Sequence, residues 1–331
     1  MSEKQRVKNL TLTILTESPV ALSNDQGTGG NFTPIKKYFY KNGLHAMTSV
    51  ATVTYELRKI LYEDYDWDLN DIVIKSKNLY FKENDGKEPD VFGFLTPGEQ
   101  ISKTSPLRII PFISVHSFKN NTQLITNKGF LEKDQQRNYF DKDNDKIEST
   151  DVPQTLSMAT EEIFGDYYFY TITIELDRIG RKEINEDEEY LPPGEREYFD
   201  DNERKEIVKD IISALTEFRR SIKHQTVHLK PLAVFGGLFK KVLPYFWNSI
   251  SFNKDKLNLK PVNNTIKDYK LDQNGRLLYG IDQDMVNYQG DEDYIKSRPI
   301  QQMNQIEEFI NKNILDIDNN KWFLNEEKLN N

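Results

Sequence analysis

Tyr168, Tyr170, Ile172, Ile174 and Leu176 recur at every second position, with Thr171, Thr173 and Glu175 between the last four. Such a period of two places one face of an extended strand in a core, and it is the strongest such signal in the chain. Leu10, Leu12 and Ile14 alternate with Thr11 and Thr13, so residues 8–16 read as a second, half-buried strand. Two helical stripes complement them. Thr48 or Ser49 can cap a helix that carries Val50, Val53, Leu57 and Ile60, with Arg58 and Lys59 in its last turn. A stronger stripe, Ile207, Ile211, Leu215, Phe218 and Ile222, predicts a helix over 203–222 with acids at its front and Arg219-Arg220 at its back.

The remaining segments fall between these anchors. Ser18 to Phe32 is a loop, and 34–41 is extended. Residues 71–95 read as short strands around the polar turn Glu83-Asn84-Asp85-Gly86, and 107–117 as an interrupted strand. Residues 119–160 have few apolar anchors and read as a mobile insertion. An apolar strand spans 229–237 and ends in Gly236-Gly237, and a last helix lies near 300–315. The order β–α–β, insertion, β–α–β predicts an α+β sheet domain of the ferredoxin or RNA-recognition type.

Charge is distributed unevenly. The net charge is −9, yet Glu183 to Glu206 alone holds eleven acids against three bases. By contrast, Phe218 to Lys254 holds seven bases and no acid, and Gln100 to Leu131 holds four and no acid. Local fields decide what docks on a surface, so a mildly acidic chain with basic faces can bind a polyanion.

Catalytic chemistry finds little support. The chain has no Cys, which excludes disulfides, thiolate metal sites and thiol nucleophiles. With no secretory leader and no apolar run long enough to span a bilayer, a cytoplasmic chain is expected. His224 and His228 have helical i,i+4 spacing, but Gln225 stands where a zincin carries Glu, and no third ligand is indicated. Neither a metal nor another cofactor is expected. Gly27-Thr28-Gly29-Gly30 lacks the Gly-Lys-Ser/Thr of a nucleotide loop and suits a turn, or a backbone approach to a phosphodiester chain. Basic clusters at 36–41, 58–59, 103–108, 219–223 and 240–241 are interleaved with Tyr38, Phe39, Tyr40, Phe239, Tyr245, Phe246 and Trp247. Cations that track phosphates beside aromatic faces that stack bases are the ingredients of RNA binding.

Four stretches resemble a known family. They are Leu10–Lys37; the Ser-led helix Thr48–Leu61; Phe92-Gly93-Phe94 with Lys103-Thr104-Ser105-Pro106-Leu107-Arg108 and later Leu176-Asp177-Arg178-Ile179-Gly180; and Phe218-Arg219-Arg220 with Gly236-Gly237-Leu238-Phe239-Lys240-Lys241. In order and spacing they are similar to the Cas-seven backbone subunit, DevR type, of the type I-B CRISPR Cascade complex. The resemblance implies a modified RNA-recognition-motif palm at about 8–95, 160–182 and 203–265, within a single domain. A thumb and finger insertion would occupy about 96–160, an acidic loop 183–206, and a helical extension 266–331. It implies a subunit that polymerises head to tail along a guide RNA, holds the sugar-phosphate backbone, presents the guide to target DNA, and meets other Cascade subunits.

The resemblance also implies guide contacts at Asn31, Lys36, Lys37, Ser49, Arg58, Lys103, Arg108, Lys240 and Lys241. Arg219, Arg220 and Lys223, with the glycine turn Gly236-Gly237, complete the expected surface. Ala51 and Thr54 or Tyr55 stand where relatives place Gln and a further basic residue. Related type III subunits cut RNA with an Asp shortly before a Ser-Pro pair; here Phe32 precedes Thr33-Pro34. The expected role is therefore non-catalytic. The alternatives are a metal-dependent ribonuclease acting through Asp25 and a protein-binding module that uses the acidic loop.

Overall fold

A computed structural model describes the chain except residues 1–4, 24–31, 42, 76–77, 83–84, 97–100, 127–138, 141, 144, 148–157, 182–198, 223–224, 287–297, 313–314, 317–320 and 325–331. Its centre is a five-stranded sheet built from β1 (Asn9–Ser18), β2 (Leu107–Ser114), β3 (Asp166–Glu175), β4 (Ala233–Phe239) and β5 (Gly275–Ile281). The strand order is β2-β3-β1-β4-β5, and every neighbouring pair is antiparallel. Helix α1 (Val50–Asp64) follows β1, α2 (Lys87–Phe92) precedes β2, and α3 (Asp201–Thr216) follows β3. The central order is thus β1-α1-β2-β3-α3-β4, a mixed α+β arrangement.

Alternation sorts the side chains of this sheet. Leu10, Leu12 and Ile14 of β1 join Tyr168, Tyr170, Ile172 and Ile174 of β3 in one core with Val53, Leu57 and Ile60 of α1 and Ile207, Ile211 and Leu215 of α3. The opposite face is also buried. There Leu15, Phe169, Phe235 and Phe239 pack under Phe246, Ile250, Leu257, Val262 and Met285 from the chain after β4. Thr11 and Thr13 therefore point into protein, not water as the half-buried reading had it. Their hydroxyls are satisfied across the sheet by Thr173 at 3.0 Å and Thr171 at 2.8 Å. Paired hydroxyls let a strand with polar alternate positions be buried on both faces.

Several boundaries differ from those the sequence suggests. The "interrupted" strand is β2, bulged between Ile110 and Ile113 where Pro111 cannot donate to the ladder. It pairs with β3, so 107–114 belongs to the central sheet and not to the insertion. Within 119–160, strands Thr122–Thr126 and Met158–Glu162 pair antiparallel, and the latter pairs with Phe32–Thr33. The 71–95 segment holds a hairpin of Ile72–Lys75 with Asn78–Phe81 followed by α2, so its strands pair before position 83 and not around the expected turn, of which residues 83–84 lie outside the described residues. The extension after 266 is not wholly helical, because β5 extends the sheet beside β4. Its last described helix spans Pro299–Lys312 and buries Met303.

Candidate nucleic-acid interface

Helix α1 begins as its sequence dictates. Ser49 is extended, and its Oγ accepts from the Thr52 amide at 3.1 Å, a standard N-cap. The helix continues one turn beyond Lys59 and ends with Glu63 and Asp64. Those acids receive Arg219, at 3.1 Å from Glu63 and 2.5 Å from Asp64. The hydrogen bond to Asp64 is the main reason the Arg219 guanidinium is held above its ordinary range.

Helix α3 stops at Thr216, short of the 203–222 reading. Arg219 and Arg220 lie on a strand, Arg219–Ile222, that pairs with Gln225–His228. Strand geometry turns neighbouring side chains to opposite sides. Arg220 therefore points inward, donating to Glu56 at 2.8 Å and to the Leu22 carbonyl at 2.6 Å. Burial lifts the Glu56 carboxyl above its usual range, while the Arg220 charge opposes that rise.

Two further cations are tied to helix α2. Arg58 stacks 4.3 Å from the Phe92 ring centroid and lies 3.2 Å from Glu88, a charge contact without hydrogen-bond alignment. Burial lowers the Arg58 pKa against the opposing pull of Glu88. Lys103 is 4% exposed. Its Nζ lies 2.5 Å from Asp90 and donates to the Arg178 carbonyl at 3.0 Å, while the second Asp90 oxygen accepts from the Gly180 amide at 2.8 Å.

Register fixes where the other cations lie. Lys240 and Lys241 follow β4 at the end of the sheet where Phe239 pairs with Asn9. Arg108, opposite Thr173, is at that same end, bonded to Glu175 at 2.6 Å. Lys36 lies at the other end. Its carbonyl accepts from the Met47 amide at 3.0 Å, and Met47 bridges Ile113 at the far end of β2. Lys36 and Ser49 are thereby brought to one neighbourhood, Lys36 by its hydrogen bond to Met47 and Ser49 two residues beyond that bridge. Lys37 beside them is engaged, 2.5 Å from Glu162 and 4.5 Å over the Phe118 ring. Lys36, Lys240 and Lys241 make no ion pair among the described residues.

The family described as CRISPR-associated negative auto-regulator DevR/Csa2 matches residues 19–258. The chain belongs to this DevR/Csa2 family. Among solved structures, a chain of a CRISPR RNA-guided surveillance complex is similar with a TM-score of 0.54 and 12% identity, covering 91% of this chain and 98% of that one. A chain of a CRISPR RNA-guided surveillance complex described as pre-nicking gives 0.55 and 11%, covering 92% and 99%. At these identities the likeness is one of fold. Among curated proteins none matches at a significant level.

The geometry of this DevR/Csa2 chain redraws the expected surface. Lys103 is a core residue and is withdrawn as a guide contact, because reaching a phosphate would strand Asp90. Arg220 is likewise an internal strut. Gly236 and Gly237 form no turn; they lie within β4 opposite Leu12 and Thr11. A Cβ at Gly236 would come 2.0 Å from the Thr11 carbonyl oxygen, so glycine there permits close strand packing. The expected surface also divides, since Lys36 and the Lys240-Lys241 pair sit at opposite ends of the sheet. Asn31, Asp25, the Gly27–Gly30 run, Lys223 and His224 lie outside the described residues, as does the acidic loop apart from its last residues, 199–206.

One signal for the internal pairs is present in the sequence. Glu56 falls between Val53, Leu57 and Ile60 on the apolar stripe of α1, and an acid there requires a buried basic partner. Among the described residues, no group of three or more His, Asp or Glu is placed to share a metal ion, and no helix is long and apolar enough to cross a membrane.

Proposed function

We propose that this chain is a non-catalytic backbone subunit of a type I-B Cascade complex, working in the cytoplasm. It holds the sugar-phosphate backbone of a guide RNA and leaves the bases to pair with target DNA. Copies stack head to tail along the guide and meet the other subunits of the complex. In this reading the five-stranded sheet is a modified RNA-recognition palm. Family membership and the fold it shares with surveillance-complex chains support it.

The observation that carries the reading is the pairing state of the cations. Lysines that make no ion pair among the described residues occur at both ends of one sheet, at Lys36 and at Lys240-Lys241, about 20 Å apart along the six residue steps from Asn9 to Leu15. A strand that leaves one copy at one end can enter the next copy at the other. The sheet face opposite α1 and α3 is occupied by residues between Phe246 and Val286, so RNA is not laid across it as on an open RNA-recognition sheet. Contacts fall instead to sheet ends and hairpins.

The test is purification of the full chain with its nucleic acid. The expected result is protected RNA whose length rises in regular steps with the number of bound copies. A chain that retains no RNA in low salt, and shows none by filter binding, would overturn the reading.

A further inference from the structure

The hairpin formed by Lys37–Tyr40 and Gly43–Ala46 projects from the sheet, and its exposed side is not explained by packing. Phe39 is 67% exposed and its direct cross-strand partner Leu44 is 47% exposed. Burying such rings normally contributes to stability, so an aromatic left in water is informative when its support is rigid. Here the support is rigid. On the other side of the hairpin, Tyr40 packs against His45 at 5.6 Å and Trp247 at 5.7 Å, which anchors the stalk to the second core. The Phe118 amide donates to the Leu44 carbonyl at 2.6 Å, and a Cβ on Gly43 would come 2.7 Å from Ser117. The second strand is thereby clamped along its edge.

The surroundings are cationic. Residues 26–55 contain no Asp or Glu, while Lys36, Lys37 and Lys41 flank the hairpin. Glu162 neutralises Lys37 alone. Lys41 lies 5.2 Å over the Tyr40 ring, and its backbone, at φ 52°, turns the chain back into the second strand. Lys119 is exposed just beyond Phe118.

We propose that Phe39, backed by Leu44, is a stacking wedge for an unpaired base of a single-stranded nucleic acid whose flanking phosphates rest on Lys36 and Lys41. This deepens the nucleic-acid reading above and rests on it. Two arguments select this occupant over a protein. The apolar tip is one ring and one aliphatic side chain, far below the area of a stable protein interface but matched to one base. With Glu162 cancelling Lys37, the charges left beside it, on Lys36 and Lys41, are positive, as a phosphodiester requires.

The experiment compares the full chain with Phe39→Ala and Phe39→Trp on two probes of equal length, a single-stranded oligoadenylate and its abasic ribose-phosphate counterpart. The wedge predicts that Phe39→Ala weakens oligoadenylate binding about tenfold. It also predicts no change on the abasic probe, and recovery of affinity in Phe39→Trp. Equal affinity of Phe39→Ala and parent for oligoadenylate, or equal losses on both probes, overturns the wedge while leaving RNA binding intact. So does a loss of self-association in sedimentation with RNA affinity unchanged. Failure of the parent to bind either probe overturns the nucleic-acid reading itself.

Discussion

Lys103 and Asp90 meet at 2.5 Å with both side chains almost fully buried, and this ion pair binds α2 to the strand before β2 and to the turn at Gly180. A buried carboxylate that loses its cation is strongly penalised, typically by about 3–5 kcal/mol. Lys103→Met should destabilise the chain by that order in urea unfolding. RNA affinity of the folded fraction should be unchanged.

The same pair gives a pH dependence with a definite sign. Burial holds the Asp90 carboxyl above its usual range despite Lys103, and removing the ammonium raises it further. A folded pKa above the unfolded value of about 3.9 means the folded chain binds the proton more tightly. This carboxyl therefore reduces stability increasingly as pH rises past that value. The Lys103→Met deficit should be full at neutral pH and shrink on acidification towards about pH 4. Parallel unfolding series of parent and variant check this, and a deficit that grows in acid would contradict it.

Arg220 and Glu56 make a second internal pair at 2.8 Å, with the Leu22 carbonyl completing the guanidinium's bonding. Each single change strands a mostly buried charge. Arg220→Met alone should cost about 3 kcal/mol, whereas Glu56→Gln with Arg220→Met should cost less than the sum of the singles by about 1–3 kcal/mol. A double-mutant cycle in urea measures the coupling. Strict additivity would mean that solvent already screens the pair.

Gly236 faces the Thr11 carbonyl with no room for a methyl group. Because the obstacle is backbone in a central strand, relaxation would require separating β4 from β1. Gly236→Ala should lose about 4 kcal/mol or fail to accumulate as folded protein. Gly93→Ala is a useful comparison. It too meets backbone, at 2.6 Å from the Lys103 carbonyl, but at a helix end with φ 77°, so strain adds to the clash there.

The framework was legible where periodicity was strong. Tyr168, Tyr170, Ile172 and Ile174, Leu10, Leu12 and Ile14, and most of the stripes of α1 and α3 lie in the first core, because burial is what alternation encodes, whereas Val50 at the start of the α1 stripe is exposed. The candidate surface was less legible because charge in a sequence carries no partner. Arg219, Arg220 and Lys103 look like free cations in acid-free windows, and Arg58 like one near a helix end, yet their acids, Asp64, Glu56, Asp90 and Glu88, come from segments 13 to 164 residues away. The helix over 203–222 was overextended because Phe218 and Ile222 continue the spacing of α3 although they lie beyond its end, Ile222 in the strand that follows. The threonines of β1 read as solvent-facing because their partners Thr171 and Thr173 lie some 160 positions on.

The division between internal and available cations leads to a prediction about salt. For single strands, each phosphate neutralised contributes about 0.7 to the slope of log affinity against log salt. Lys36, Lys240 and Lys241 make no ion pairs among the described residues, and the two C-terminal ones are exposed. Changing all three to Ala should lower the slope by about 2 and leave unfolding stability within about 0.5 kcal/mol of the parent. Arg219→Ala is the control. Its charge is already shared with Glu63 and Asp64, so its effect on the slope should be smaller than that of any one of the lysines. Fluorescence anisotropy with a labelled guide-length RNA across a salt series separates the two. A larger slope change from Arg219→Ala than from the triple change would place the RNA against the end of α1 instead of at the ends of the sheet.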